Sequence, residues 1–176
     1  KEPGEKIDVS CKILGNVEKE HIEQVSDING TAITIYYQLC LHKKVPCIKH
    51  ILSQKESFEY LHKEIIQKNN IPLLLNISNR YCAFTSGYDF KLNQIHNYDW
   101  FDMKDMDKCV YRINAFVSED GLFEYNYDIN VEGRQINGSA DYIDKKSGRL
   151  LEFKFVDELT DEHFIQLALY AFLNIM

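Results

Sequence analysis

Residues 138–170 read GSADYIDKKSGRLLEFKFVDELTDEHFIQLALY, and this stretch decides the fold of the C-terminal part of the chain. Its pattern predicts a strand, a tight turn at residues 145–148, a second strand and a helix, with Gly148 at a position that favours positive φ. A hairpin folded symmetrically about that turn places Asp141 opposite Glu152. The remaining predicted pairs are Tyr142–Leu151, Ile143–Leu150 and Asp144–Arg149.

One face of this hairpin concentrates charge. Strand side chains alternate between faces, so Glu152 and Lys154 share the face of Asp141, whereas Phe153 and Phe155 point towards a core. Opposed like charges destabilise a strand pair, and buried charge is costly without a partner. A hard divalent cation with oxygen ligands would offset the repulsion. The open alternative is a charged hairpin face that nearby basic residues neutralise.

These residues resemble the catalytic motif of the PD-(D/E)XK nuclease superfamily, an Asp followed after a hairpin turn by Glu-X-Lys. Asp141, Glu152 and Lys154 stand at the matching positions, and Ala140 stands where the name of the superfamily has Pro. On the next helix, residues 166–170 resemble the additional Gln-X-X-X-Tyr motif of the RecB-like branch, whose nuclease domains accompany UvrD-like helicases. The resemblance covers the last part of the chain well and the rest only loosely.

The resemblance implies an α/β (mixed α+β) fold with a restriction-endonuclease-like core, in which helices flank a central mixed β-sheet. An N-terminal helical part precedes that core here. We therefore expect residues 25–176 to form a single RecB-like nuclease domain, with residues 1–24 as a leader or linker from a preceding domain. Because the chain starts at Lys1 rather than Met, we expect it to be a piece of a longer protein. The resemblance implies that this longer protein is a helicase–nuclease.

The resemblance also implies a metal site. Asp141 and Glu152 would hold Mg²⁺, for which Mn²⁺ can substitute, together with the carbonyl oxygen of Phe153. Glu124, on an earlier predicted strand, is the candidate for an additional ligand, and its alternative is a solvated strand residue. Such a cation activates water and stabilises the charge that develops at the phosphate.

Three more residues would serve the reaction through hydrogen bonds and charge. Lys154 would stabilise charge beside the attacking water. Gln166 and Tyr170 would orient that water, Lys154 or a backbone phosphate, and their alternative is a polar stripe on a docked helix.

The first half of the chain predicts three helices. The first runs from Gln24 to Lys44, is capped by Asp27 or Asn29, and ends before Pro46. RecB-like domains often begin this helix with Gly-Thr-X-X-His. Here Gly30 and Thr31 are followed by Thr34, so the His of that pattern is missing.

The second helix follows the capping-box spacing of Ser53 and Glu56 and runs to about Gln67. The third has Pro72 in its first turn and ends at Gly87. These two helices pack beside the sheet or form one wall of a DNA channel. The phosphate contacts of such a wall would be Lys63, Lys68, Arg80 and Lys91.

An aromatic patch follows at residues 98–101, where Tyr98 and Trp100 either stack on unpaired bases or anchor a loop to a core. A short acidic turn or helix then covers residues 103–108. Residues 109–117 and 122–131 alternate as two strands, and the second of them carries Glu124.

Composition limits the possible functions. The chain has 176 residues, of which 45% are hydrophobic and 27% charged, and no stretch predicts a membrane span. The net charge of −7 argues against tight autonomous binding to nucleic acid, since basic residues supply most of that affinity. The resemblance implies that the partner is single-stranded DNA or duplex ends. The negative charge is compatible with that partner if a helicase motor in the same chain or complex delivers the strand.

The cysteines show neither a CxxC pair nor zinc-ribbon spacing. Iron–sulfur clusters of some RecB-like nucleases use cysteines after the last helix, and none follows Cys109, so we expect no such cluster in this chain. The five residues are Cys11, Cys40, Cys47, Cys82 and Cys109. Their pattern favours reduced thiols in an intracellular protein.

The first hypothesis is a Mg²⁺- or Mn²⁺-dependent deoxyribonuclease, acting as an exonuclease or on single strands and ends, coupled to a helicase. The alternative is a catalytically weak nuclease-like domain that binds DNA or docks a partner, which the missing His and the negative charge favour. A sequence-specific restriction-type endonuclease ranks last, because no recognition element is visible.

Overall fold

The computed structural model describes residues 25–41, 45–118, 120–131, 133–156 and 158–175, which form a mixed helical and β-sheet (α+β) protein. Its contacts divide the chain into two compact units, Lys1–Arg112 and Ile113–Met176, called here the helical unit and the sheet unit. The predicted leader, residues 1–24, lies outside the described residues. The single domain expected for residues 25–176 stays a prediction.

The described elements follow the chain in a simple order. The helical unit contains α1 (Ser26–Cys40), a 3-10 helix (Pro46–His50), α2 (Phe58–Leu61), a π-helix that continues it (His62–Gln67), α3 (Ile71–Ser86), α4 (Phe90–Gln94) and most of α5 (Met103–Asn114). The sheet unit contains β1 (Leu122–Val131), β2 (Arg134–Asp144), β3 (Arg149–Leu151) and α6 (Asp161–Ile175).

Helix α1 is shorter than its prediction. It begins at Ser26, so both predicted caps lie inside the first turns, and no side chain caps its N-terminus. The helix ends at Cys40, and Pro46 opens the 3-10 helix instead of closing α1. Proline suits the first turn of a helix because its missing N–H would have no intrahelical acceptor there.

The predicted capping box forms a turn rather than a helix start. Glu56 accepts a hydrogen bond from the backbone N–H of Ser53 at 2.8 Å, but the helix begins at Phe58, where the side chain of Ser57 accepts the N–H of Tyr60 at 3.1 Å. The end at Gln67 agrees with the prediction.

Helix α3 begins and ends where the sequence predicts. The side chain of Asn70 caps it by accepting the N–H of Leu73 at 3.1 Å, and Pro72 lies in the first turn. Gly87 ends it with φ of 74°, a conformation that glycine adopts without steric cost. Helix α1 packs against α3, and the core they share contains Ile28, Ala32, Ile35, Leu74, Leu75 and Ile77.

The predicted strand at residues 109–117 is wrong, because residues 103–114 form the single helix α5. Met106, Cys109 and Ile113 are its buried residues, at the spacing of one helical face. A short apolar alternation fits both a strand and a helix. Here the helix that begins at Met103 continues through residue 109 to Asn114.

The sheet is antiparallel, with strand order β1-β2-β3, so the predicted mixed sheet is not found among the described residues. The hairpin register is confirmed, with Tyr142 opposite Leu151, Ile143 opposite Leu150 and Asp144 opposite Arg149. The ladder ends at Leu151, however. The prediction that residues 152–155 continue the strand is therefore wrong.

The hairpin turn is held by one carboxylate. Asp144 accepts hydrogen bonds from the N–H of Lys146 at 2.9 Å and from the hydroxyl of Ser147 at 2.6 Å, and Gly148 has φ of 68°. The hydroxyl of Ser118 donates to the same carboxylate at 3.0 Å. These bonds, with that of the Ser147 hydroxyl the largest cause, lower the pKa of Asp144 to about 2.

Helix α6 contacts the sheet through a small apolar cluster built on Tyr127, Ala140 and Leu173. A second buried contact lies at the start of β1, where the ring of Tyr142 passes directly over Gly121 and a Cβ atom would overlap it. The hydroxyl of Tyr142 accepts the N–H of Ser118 at 2.9 Å, which fixes the ring in this place. Glycine at position 121 is therefore a packing requirement.

No helix in the described ranges combines the length and the apolar character needed to cross a bilayer.

We expect Gly121→Ala to lower the free energy of unfolding by about 1–3 kcal/mol, because the added methyl group overpacks the Tyr142 contact. Urea unfolding followed by far-UV circular dichroism measures this. The matched control is Gly30→Ala in α1, where a Cβ meets nothing within 4 Å. There the substitution is expected to stabilise by about 0.5–1 kcal/mol. Equal effects of the two substitutions would contradict the packing role of Gly121.

Candidate active site

The site begins with a hydrogen bond between a side chain and the backbone. Asp141, on β2, accepts the backbone N–H of Phe153 at 2.5 Å through Oδ2. The last ladder pair is Tyr142 with Leu151, so this bond stands where the next backbone pairs of the hairpin would form. It holds the Glu-X-Lys segment beside β2 after strand pairing has stopped. The predicted strand pair of Asp141 with Glu152 is therefore not part of the ladder, and the side chain of Asp141 instead contacts the amide of the residue after Glu152.

A chain of three hydrogen bonds joins this segment to α6. The ammonium of Lys154 donates to Oε1 of Glu152 at 2.8 Å and to Oε1 of Gln166 at 2.8 Å. The side-chain amide of Gln166 donates to the hydroxyl of Tyr170 at 3.2 Å. The contact between Glu152 and Lys154 shows that the two side chains share one side, as the alternation predicts. The structure thus brings together four residues that the sequence singled out.

Local sequence sets the position of α6. Thr160 and His163 form a reciprocal start to the helix, since Nδ1 of His163 accepts the N–H of Thr160 at 2.9 Å and the N–H of His163 donates to the Thr160 carbonyl at 3.1 Å. Gln166 and Tyr170 then fall one helical turn apart on one face. This spacing lets one side chain contact Lys154 and the other contact the sheet.

Packing against the sheet fixes the ring of Tyr170. The ring stacks on Tyr127 of β1, with 5.8 Å between centroids and 16° between planes. It also lies over Gly138 of β2, where a Cβ atom would come within 2.8 Å of the ring. Tyr127 and Gly138 are partners in the β1–β2 register. The position of the Tyr170 hydroxyl therefore depends on glycine at residue 138.

Glu124 interrupts β1 at the position opposite Asp141. Phe123 pairs with Tyr142 and Tyr125 pairs with Ala140, but the residue between them is left out of the register and has φ of 50°. A positive φ is uncommon for a residue other than glycine and costs conformational energy. The regular strand face predicted for residues 122–131 is therefore broken at this residue.

Three carboxylates influence one another in this place. Burial, and next the charge of Glu152, raise the pKa of Asp141 from 3.8 to about 7, against the opposing effect of the Phe153 N–H. Burial and the charge of Glu152 also raise the pKa of Glu124. The side chain of Glu152 is only 6% exposed, and its Oε2 is buried with no hydrogen-bond partner among the described residues. Electrostatic repulsion here is only partly offset by Lys154.

The donor set suits a hard divalent cation. Carboxylate oxygens are the ligands that Mg²⁺ prefers, and an unpartnered buried oxygen on Glu152 has capacity for one more positive neighbour. Within the described ranges, however, no group of three or more His, Cys, Asp or Glu side chains is already arranged around one point. Asp141 and Glu152 are the residues that would hold the ion, and the third ligands predicted, Glu124 and the Phe153 carbonyl, stay predictions.

The basic residues predicted to contact phosphate lie in the helical unit, and three of the four are ion-paired. Lys68 contacts Glu64 at 2.7 Å, Arg80 contacts Glu56 at 3.0 Å, and Lys91 contacts Asp27 at 2.6 Å. Lys63 is exposed on the π-helix. Pairing with carboxylates reduces the charge that these side chains offer to a phosphate, which weakens their assignment as phosphate contacts.

The aromatic pair at residues 98–100 lies against the helical core. Trp100 is 8% exposed, and its indole N–H donates to the buried side chain of Asn29 at 2.9 Å. The hydroxyl of Tyr98 accepts a hydrogen bond from Asn79 at 3.0 Å. A ring as buried as Trp100 has no face left for a base, so the anchoring interpretation replaces the stacking role predicted for Trp100.

The position of the missing His is part of the helical core. Thr34 is 5% exposed, and its hydroxyl donates to the carbonyl of Gly30, one turn earlier in α1, at 3.1 Å. A buried threonine supplies no imidazole, and its hydroxyl hydrogen is already used within α1.

Sequence reasoning missed two residues on which the site depends, Gly138 and Tyr127. Both support Tyr170, and neither carries chemistry of its own. A glycine inside a predicted strand was the available signal, because it often marks a close approach by another group.

Comparison of the chain with protein-family models, with curated proteins and with solved structures finds no match. The resemblance to PD-(D/E)XK nucleases therefore rests on the residues and contacts described above.

A double-mutant cycle tests the support of Tyr170. We expect Gly138→Ala to lower the free energy of unfolding in the wild-type background and to have little effect in the Tyr170→Ala background, because the clash needs the ring. The coupling energy should lie in the range of about 0.5–3 kcal/mol typical of residues in contact. Urea unfolding of the four proteins measures it, and additive effects would contradict the contact.

The raised pKa of Asp141 predicts a pH-dependent stability. The folded state keeps a proton that the unfolded chain has lost, so the free energy of unfolding should fall as the pH rises from about 4 to 7, by at most about 1.4 kcal/mol per pH unit for this group. Asp141→Asn should make that decline shallower, leaving the part that the raised pKa of Glu124 contributes, and should be relatively more stable above pH 7. The experiment is urea unfolding at several pH values with a chelator present.

The control for this experiment is Asp128→Asn, which changes an exposed carboxylate on β1 of the same sheet. A decline that is as steep in Asp141→Asn as in the wild type, or that becomes shallower in Asp128→Asn, would assign the effect to another group.

Proposed function

We propose that the sheet unit is the catalytic part of a nuclease that hydrolyses DNA phosphodiester bonds with the help of Mg²⁺ or Mn²⁺. One observation carries the proposal, namely the continuous contact from Glu152 through Lys154 and Gln166 to Tyr170, with Asp141 bound to the Phe153 amide inside the same segment. A cluster of charged surface residues without a function would not be expected to bury a carboxylate oxygen without a partner, as Oε2 of Glu152 is buried here.

Each residue has a role that follows from its contacts. Asp141 and Glu152 would hold the cation, which when bound lowers the pKa of a water molecule and stabilises charge at the phosphorus. Lys154 has three N–H groups, of which two point at Glu152 and Gln166. The third can donate to a phosphate oxygen, so Lys154 would bind and orient the substrate rather than transfer a proton.

Gln166 and Tyr170 act as positioning residues. The amide of Gln166 bridges Lys154 and Tyr170, which limits the directions that the ammonium can adopt. Because the ring of Tyr170 is fixed by Tyr127 and Gly138, the sheet itself sets the direction of the Lys154 ammonium through this bridge. Precise orientation of this kind is a large part of the rate acceleration in phosphoryl chemistry.

The resemblance further implies a restriction-endonuclease-like core and a UvrD-like helicase motor in the same chain or complex. The net charge of −7 supports a second component, since a chain this acidic holds a polyanion weakly by itself. The motor would deliver a single strand or a duplex end to the site.

A second candidate is a nuclease-like domain that binds or docks without efficient cleavage. Thr34 favours it, because the residue in place of the missing His is a buried threonine that supplies no imidazole. The intact contacts of Asp141, Glu152 and Lys154 favour the enzyme.

The test is a cleavage assay on end-labelled single-stranded and double-stranded DNA with Mg²⁺, with Mn²⁺ and with a chelator. We expect Asp141→Ala, Glu152→Ala and Lys154→Ala to lower the cleavage rate by roughly 10²–10³-fold or more, as removal of a group that stabilises transition-state charge does. Circular dichroism checks that each variant is folded.

Two exposed residues of the same unit serve as controls. Lys146→Ala removes an ammonium that is 83% exposed in the hairpin turn, and Glu158→Ala removes an exposed carboxylate before α6. Both should cleave as the wild type does. Cleavage at the wild-type rate by any of the three site variants would overturn the proposal.

A further inference from the structure

One stretch of the helical unit differs in charge from the rest of the chain. Residues 28–55 contain four Lys and two His and no acidic residue, although the whole chain has 27 Asp and Glu against 20 Lys and Arg. A local excess of positive charge in an acidic protein attracts anions. Of these six basic residues, Lys49, His50 and Lys55 lie in the part of the chain that the structure describes. The described part of this stretch includes the 3-10 helix and the loop that follows it.

The acidic residues that border this stretch do not cancel its charge. Asp27 is paired with Lys91 at 2.6 Å, and Glu56 is paired with Arg80 at 3.0 Å. Lys49 and Lys55 are exposed, and neither forms an ion pair with a residue in the described ranges. No carboxylate in the described ranges therefore lies within ion-pair distance of these two ammonium groups.

An exposed aromatic ring near the end of α3 lies beside His50, and Arg80, one turn earlier in α3, contacts Glu56, the neighbour of Lys55. Phe84, in the last turn of α3, is 59% exposed, and the ring of His50 stacks on it with 6.2 Å between centroids and 16° between planes. His50 directly follows Lys49 at the end of the 3-10 helix. A large apolar ring exposed beside basic residues is a feature of proteins that stack on unpaired bases.

A second ring pair follows the turn at Gly87. Tyr88 and Phe90 are 69% and 60% exposed, with 6.3 Å between their centroids. The exposed Asp89 lies between them in the chain and would repel a phosphate. For this reason the inference is limited to the first pair and its two lysines.

We propose that Lys49, His50, Lys55 and Phe84, called here the basic–aromatic surface, bind an unpaired polynucleotide strand. The lysines would contact backbone phosphates, and the exposed face of the His50–Phe84 pair would stack on a base. Charge complementarity favours a nucleic acid over an apolar protein segment as the occupant. The inference rests on the proposed function only in taking nucleic acid as the substrate, since none of its residues belongs to the sheet unit.

The binding experiment uses the full chain and a chelator, so that cleavage cannot interfere. The probes are fluorescein-labelled dT20, rU20 and a blunt duplex, and the readout is anisotropy at several salt concentrations. We expect dT20 to bind more tightly than the duplex. Equal affinity for dT20 and rU20 would show that the surface binds unpaired DNA and RNA alike. A preference for one of them would identify DNA or RNA as its ligand.

Substitutions separate stacking from charge. Phe84→Ala and Phe84→Leu should both weaken dT20 binding by roughly 5- to 100-fold, the range for removal of one stacked base. Lys49→Ala with Lys55→Ala should lower the slope of log affinity against log salt by about 0.7 for each phosphate that these two lysines neutralise. The controls are Phe116→Ala, an equally exposed ring at 55%, and Lys146→Ala.

Several results would overturn the inference. They are dT20 binding unchanged in Phe84→Ala, wild-type affinity restored by Phe84→Leu, a salt slope unchanged without the two lysines, or no binding of dT20 at all. Loss of this surface with cleavage retained would leave the proposed function standing. Strand binding that depends on Phe84, without any cleavage by the wild type, would overturn the proposed function and leave this inference standing.

Discussion

The hydrogen bond from the Phe153 N–H to Asp141 is the constraint on which the candidate site depends. It replaces the backbone pairing that would otherwise continue β3, and so it ends the strand at Leu151 while keeping the chain beside β2. Beyond the ladder, the side chain of Lys154 contacts both Glu152 and Gln166 of α6. The bond also places a carboxylate where burial and Glu152 disfavour its charge, which is why the pKa of Asp141 rises to about 7.

The polar part of the site is positioned by apolar contacts. Tyr170 carries the last hydroxyl of the chain of hydrogen bonds, and its ring is set by the stack on Tyr127 and by the absence of a side chain at Gly138. Packing is specific at this scale, because close-packed groups tolerate small displacements poorly. The direction of the Lys154 ammonium is therefore linked, through Gln166, to the core of the sheet unit. Residues that pack the core of the sheet unit therefore also position the candidate site.

In the helical unit, charge and exposure have to be considered together. Arg80 and Lys91 lie in helices that look suited to phosphate from the sequence, yet each is held by a carboxylate far away in the chain, Glu56 and Asp27. Those same pairs give each acidic residue that borders the acid-free stretch a basic partner other than Lys49 or Lys55. A sequence gives the number of charges, and only the fold shows which of them remain available to a ligand. Burial likewise determines which aromatic rings a ligand can reach: Trp100 is buried in the helical core, whereas Phe84 is exposed.

The sequence by itself determined the hairpin register, the turn at Gly148, both ends of α3 and the grouping of Glu152, Lys154, Gln166 and Tyr170. These features depend on interactions between residues close in the chain, which alternation, caps and helical spacing describe well. The tertiary structure decided that residues 109–114 are helical, that β3 stops before Glu152, that Glu124 leaves its ladder, and which cations are paired. Those outcomes depend on burial and on partners distant in sequence, whose interaction energies exceed local conformational preferences. Such interactions produce no periodic pattern in the sequence from which they could be predicted.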